Sequence, residues 1–260
     1  MSWFFNKDAE ISSRTDDWDF YFCLVDDKPA SIFVDLGRIG RIPSSGFPIM
    51  MYLRLYMENP RSDGLSSNED YQTLLAIEDG LEQKAQKQKL IYVGRNTTDG
   101  FRDFVFYGAD PSRFSKAVKE TMHDFTSCRY EIGHREDKDW SVYREFLYPA
   151  PIQYRHMLNR RVLQALKEAE DDETVPHKLD HRVYFEAESQ RTGFMQEILR
   201  LGYEIEGESL SAASPDIYLD FFRTDQLDAV DAITNELEDL AARFGGNYDG
   251  WGTSVEKKSD

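Results

Sequence analysis

Asp103-Phe-Val-Phe-Tyr107 runs into Asp110-Pro111 and then a stripe of Phe114, Val118, Met122 and Phe125. Later in the chain Tyr218-Leu-Asp-Phe-Phe222 runs into Thr224-Asp225 and a stripe of Leu227, Val230, Ile233, Leu237, Leu240 and Phe244. Each is an aromatic strand delivered into a capped helix whose apolar residues recur at helical spacing. Met with twice, the pattern implies two similar folds in tandem, although patterning alone can reproduce such a match and does not distinguish duplication from convergence. Upstream of the first copy, Ile49, Met51, Leu53, Leu55 and Met57 alternate as a long strand, Asn59 to Gly64 punctuates, and Ser67 caps a helix carrying Tyr71, Leu74, Leu75, Leu81 and Ala85. Leu90 to Val93 and Phe101 to Tyr107 read as a hairpin around a polar Gly94 to Gly100 loop, and Cys128, Tyr130 and Ile132 as a closing strand. An extra hairpin opens the module: Trp18 to Val25, a break at Asp26-Asp27-Lys28-Pro29, then Ile32, Val34 and Leu36.

The second copy gains its missing elements in the same order. Val183, Phe185 and Ala187 suggest a strand, Phe194, Ile198 and Leu201 a helix, Tyr203 to Glu208 and Ile217 to Phe222 a strand pair, and Thr224 the cap of the long helix. Gly245-Gly246 stops that helix before a last strand from Tyr248 to Val255. The fold class read from this order is α+β, two tandem ferredoxin-like (split βαβ) modules, the first with an additional N-terminal β-hairpin. The expected boundaries are residues 1–150 for an N-terminal α+β domain, 151–179 for a helical and then acidic linker, and 180–260 for the second domain. Pro149 to Pro151 and Pro176 mark the linker's ends.

Aromatic residues make up 13% of the 260 and hydrophobic residues 40%, which excludes a disordered chain. Cys23 and Cys128 lie in apolar alternating stretches and read as buried free thiols in a reducing compartment. The N-terminus shows neither a basic n-region nor an apolar h-region and no segment is long and apolar enough to span a bilayer, so a cytoplasmic protein is expected. The net charge of −17 opposes direct binding of nucleic acid or of anionic membranes. Arg155, Arg160 and Arg161 form the nearest basic group and read as the wet face of a helix. Residues 180–260 hold 18 acidic and 7 basic side chains, which favours a basic protein partner for the second module.

No G-x-S-x-G, phosphate-loop, G-x-G-x-x-G or C-x-x-C pattern occurs, so no catalytic, cofactor-binding or metal-binding residue is nominated, no cofactor is expected, and the chain reads as non-enzymatic. His177 and His181 stand four apart as in helical zinc pairs, yet Pro176 and a strand opening at His181 should make them diverge. His123 and His134 have no convergent partner and read as surface or structural. Glu204, Glu206 and Glu208 should project from one face of a strand, either as a solvated row or as a docking row for arginine-rich segments. In Gly245-Gly-Asn-Tyr-Asp-Gly-Trp-Gly-Thr253, Tyr248, Asp249 and Trp251 either present an aromatic anchor or pack an edge strand onto the core.

Asp180-His-Arg-Val-Tyr-Phe-Glu-Ala leading to Thr192-Gly-Phe, together with the closing Tyr-Asp-Gly-Trp-Gly, resembles the regulator of ribonuclease E activity B family over about the last 80 residues. Asp17-Trp-Asp-Phe-Tyr through Arg61-Ser-Asp-Gly-Leu-Ser-Ser-Asn-Glu, and on to about Tyr148, resembles a bacterial domain family of unknown function often joined to such a module. The first resemblance implies a ferredoxin-like domain in a bacterial cytoplasm and non-enzymatic action, as a protein inhibitor that binds the ribonuclease outside its catalytic part. The named regulator is a stand-alone module, whereas this chain carries a second domain, so its specific target does not transfer. Two other readings stay open: a small-molecule sensor using the groove between the two modules, and a hydrolase with a carboxylate dyad assembled in space. The sequence leaves the oligomeric state open.

Overall fold

A computed structural model describes residues 15–43, 45–208 and 217–257, and the chain divides into two compact units, residues 1–153 and 154–260. In the first, β1 (Trp18–Val25) and β2 (Lys28–Asp35) form the expected hairpin. Asp26 and Asp27 both sit at positive φ, 49° and 60°, as a two-residue turn matched to strand twist requires. β3 (Ile49–Tyr56) follows. The Ser67 hydroxyl then accepts from the Asp70 N–H at 3.1 Å and starts α1 (Asn68–Lys87). β4 (Ile91–Thr98) and β5 (Phe101–Gly108) are joined by Asp99-Gly100 alone, so the loop expected from Gly94 to Gly100 is strand. Gly94 marks a bulge there, not a turn: it adopts φ 151°, and a Cβ on it would stand 2.5 Å from the Phe33 carbonyl oxygen. The Asp110 carboxylate accepts from the Ser112 N–H to cap α2 (Pro111–Met122), and β6 (Tyr130–Glu136) closes the unit's sheet.

The sheet is antiparallel throughout, in the order β1-β2-β4-β5-β3-β6. Met51, Leu53, Leu55, Phe104 and Phe106 meet Leu74, Ile77 and Leu81 of α1 and Phe114 and Val118 of α2 in one buried cluster. The other face has a cover that hydrophobic periodicity does not reveal. Trp140 is fully buried and stacks on Tyr107 at 4.0 Å, and the wide helical turn Val142–Leu147 buries Tyr143 and Leu147. The Tyr107 hydroxyl donates to Asp137 at 2.6 Å, and the Tyr143 hydroxyl to the Asp35 carbonyl at 2.5 Å. This cover explains why Tyr21 is the buried residue of β1, its hydroxyl donating to the Leu147 carbonyl, while Phe22 and Leu24 stand exposed. Cys23 and Cys128 are free thiols as expected, but half-buried.

The second unit contains most of α3 (Pro151–Glu168), then β7 (His177–Phe185), α4 (Glu188–Arg200), β8 (Glu204–Glu208), β9 (Ile217–Asp225), α5 (Val230–Arg243) and β10 (Gly246–Gly252). Its sheet is antiparallel in the order β10-β7-β9-β8. Taking the strand-helix-strand-strand-helix-strand run of each unit, the sheet order is second, third, first, fourth in both. Leu179, Val183, Leu219 and Phe221 pack beneath Phe194, Ile198, Leu237 and Leu240. Residues 151–179 are not a linker. Leu166 is buried in that same cluster, with Val162 and Leu163 against it. The acidic stretch after it is pinned too: the Asp171 carboxylate accepts from the Glu256 N–H at 2.7 Å and lies 3.0 Å from His177 Nε2. Thr224 stays in β9 and caps nothing; a 3₁₀ turn at Leu227–Ala229 leads into α5 instead.

Candidate protein-docking surface

Leu179, His181, Val183 and Phe185 of β7 face the core, so Lys178, Asp180, Arg182 and Tyr184 project from the side of the sheet that carries no helix. On β9, Leu219 and Phe221 face inward, and Tyr218, Asp220 and Phe222 join the outer face. The pairing Asp180↔Phe222, Arg182↔Asp220 and Tyr184↔Tyr218 brings these side chains side by side. Arg182 grips Asp220 with two bonds of 2.6 and 2.7 Å and lies over the Tyr218 ring at 4.8 Å. Lys178 Nζ is 2.9 Å from Asp180 and 2.6 Å from Glu206, above the Phe222 ring at 4.3 Å. Neighbouring carboxylates hold the Lys178 amine above its ordinary pKa. With Glu204 added, four acids surround two bases among three aromatic rings, a polar and acidic surface able to take cationic side chains and to stack against guanidinium groups.

The row of three glutamates does not form. Ile205 lies opposite Phe221 while Gly207 lies opposite Asp220, so Glu206 is the extra residue of a bulge and the alternation skips a step. Glu204 and Glu206 are exposed, but Glu208, opposite the inward-facing Leu219, turns to the helix side and pairs with Arg191 of α4 at 3.3 Å. Nor is the glycine-rich end an aromatic anchor. Tyr248 is buried with its hydroxyl 2.9 Å from His181 Nδ1, and burial drives that hydroxyl's pKa well above the usual range. The half-buried Trp251 packs on the core, and its indole N–H donates to Asn159 Oδ1 at 2.8 Å; the Asn159 amide in turn donates to Asp231 and Thr234 of α5. Of the three residues only Asp249 is exposed, carried outward by a second bulge between Tyr248 and Gly250.

His177 and His181 do not diverge. Both lie on the buried face of β7, about 13 Å apart along the strand. His177 is held by Asp171 and by the Val175 carbonyl, His181 by Tyr248. Burial lowers the His181 pKa to about 4, which keeps the ring neutral at pH 7. Arg155 is not simply wet: it bonds Asn235 at 2.9 Å and Glu238 at 2.8 Å. The buried acids Asp35, Asp70, Glu78, Asp137 and Asp171 are each engaged, by Arg38, the Asn59 N–H, Arg95, Tyr107 and His177 respectively. The sequence missed Lys178, Arg182, Asp220 and Phe222 as surface partners. Their alternation was visible, but ion pairs between strands depend on register, which one strand's sequence does not carry.

Two solved structures align with most of the chain at low similarity: one named for a glycine cleavage system transcriptional repressor, 7% identical, covering 82% of this chain and 100% of that one with a TM-score of 0.27; and an unknown protein from Galdieria sulphuraria, 8% identical, covering 80% and 99% with a TM-score of 0.24. Scores this low carry no argument. Residues 16–148 match the family of unknown function DUF695, and residues 156–253 match the family described as regulator of ribonuclease activity B. A relative from Xenorhabdus nematophila, named regulator of ribonuclease activity B, is 31% identical over 102 residues, which are 37% of this chain and 72% of the relative. The chain therefore belongs to the DUF695 family through its first unit and to the regulator of ribonuclease activity B family through its second.

Proposed function

We propose that the chain is a non-catalytic regulator that works by binding a protein, a ribonuclease or another basic partner, through its second unit, and that it does so in a bacterial cytoplasm. The match of residues 156–253 to the regulator of ribonuclease activity B family carries this reading. The helix-free face bearing Asp180, Glu204, Glu206 and Asp220 supports a cationic partner, since complementary charge steers encounter and fixes register. The common strand order of the two units supports reading both as ferredoxin-like, the first an α+β domain of unassigned role.

Affinity capture of the intact protein from its source cell, followed by a ribonuclease assay with the purified pair, tests the proposal. The expected result is a captured ribonuclease whose rate falls as the protein is added and levels off at a fixed stoichiometry. Recovery of no protein partner, together with unchanged rates for that cell's ribonucleases, would overturn it.

A further inference from the structure

β6 is an edge strand whose residues are exposed along almost its whole length. Tyr130 and Ile132 are exposed on the side that faces the helices further along the sheet, and Arg135 on the other side has no ion-pair partner among the described residues. Its hydrogen-bonding phase is fixed by its inner neighbour. The Tyr56 N–H donates to the Arg129 carbonyl at 3.0 Å and the Asp137 N–H to the Pro48 carbonyl at 2.8 Å. Odd-numbered residues therefore bond to β3, and residues 130, 132, 134 and 136 turn their N–H and C=O groups to the open edge.

From this phase and the charges we infer that β6 pairs with β6 of a second copy, antiparallel about a two-fold axis at Gly133. An antiparallel partner must set outward-facing residues against outward-facing residues, which leaves few registers. Centring on Ile132 opposes Arg129 to Arg135 of the second copy, and centring on His134 opposes Glu131 to Asp137; both place like charges together. Centring on Gly133 opposes Glu131 to Arg135 twice by symmetry, at non-hydrogen-bonded positions where cross-strand side chains stand closest. It also sets Ile132 beside His134. Charges on an edge strand ordinarily deter pairing with another chain. In this register alone of the three they become ion pairs, supported by about eight main-chain hydrogen bonds. The occupant is a second copy because the sequence of β6 is charge-complementary to itself. The inference is independent of the ribonuclease reading.

Light scattering or sedimentation of the full chain over a concentration series tests it, with thermal melts confirming that each variant is folded. The wild type should dimerise. Arg135→Glu places two carboxylates together at each end of the pair and should raise the dimer dissociation constant about tenfold or more. Ile132→Pro removes an outward N–H, leaves the bonds to β3 in place, and should give a folded monomer. Glu131→Lys alone should also be monomeric, yet its mixture with Arg135→Glu should form a heterodimer, read by native mass spectrometry, because each charge again meets its opposite. A wild type that stays monomeric at the highest soluble concentration, a dimer indifferent to both Arg135→Glu and Ile132→Pro, or folded variants that fail to complement on mixing would each overturn the inference.

Discussion

Trp251 shows how a side chain's role depends on residues distant in sequence. Its setting among glycines makes it conspicuous, and an exposed anchor and a core residue are equally consistent with that setting. The decision lies in Asn159, on α3, whose amide holds the indole N–H on one side and α5 on the other. Trp251→Phe keeps the ring and loses the bond, so the second unit should lose about 1–2 kcal/mol; Trp251→Ala should lose about 2–4 kcal/mol because the ring is half-buried. Urea titration reads both. His181 yields a pH prediction. Its folded pKa of about 4 lies below the ordinary 6.5, so the unfolded chain binds the extra proton between those values. The stabilisation is complete above pH 6.5 and is lost as pH falls through 4, on the order of 3 kcal/mol over the window. His181→Gln should flatten the denaturation midpoint across that range relative to wild type, and an unchanged slope would contradict the neutral, buried ring.

At the scale of elements, much was legible: the alternation of Ile49 to Met57 gave β3, Ser67 gave the start of α1, and Asp110-Pro111 gave the start of α2. What failed has physical causes. Gly94 read as a loop because glycine serves turns and bulges alike, and Glu208 read as exposed because a bulge at Glu206 inverts every later side chain. α3 read as a linker because acids and a proline follow it, although Leu166, Val162 and Leu163 of its sequence are core material. A fragment starting at residue 170 should therefore be unfolded or melt far below one starting at residue 150, and Leu166→Ala in the longer fragment should cost about 2–4 kcal/mol. Circular dichroism melts of the three distinguish a structural helix from a tether. Equal melting of the long and short fragments would restore the linker.

For the whole molecule, the sequence's charge asymmetry located the acidic part of the chain, its final third, but not the surface that presents it. The outer face of the second sheet sets the four carboxylates of Asp180, Glu204, Glu206 and Asp220 against only two bases, Lys178 bonded to Asp180 and Glu206 and Arg182 bonded to Asp220, so an incoming cation meets a face with a net negative charge. Attraction of this kind weakens as salt shortens the Debye length from about 10 Å at 0.1 M to about 3 Å at 1 M. Affinity for a basic partner should fall accordingly, chiefly through slower association. Glu204→Gln with Glu206→Gln should weaken binding roughly two- to thirtyfold, the range that two exposed ion pairs span. Glu208→Gln should leave binding unchanged, because that carboxylate lies on the helix side of the sheet beside Arg191 of α4 and not on the outer face. The contrast isolates the surface from bulk charge, since all three substitutions remove one negative charge apiece. Equal losses for Glu204, Glu206 and Glu208 would mean that net charge alone attracts the partner, and binding indifferent to salt would place the contact on another face of the unit.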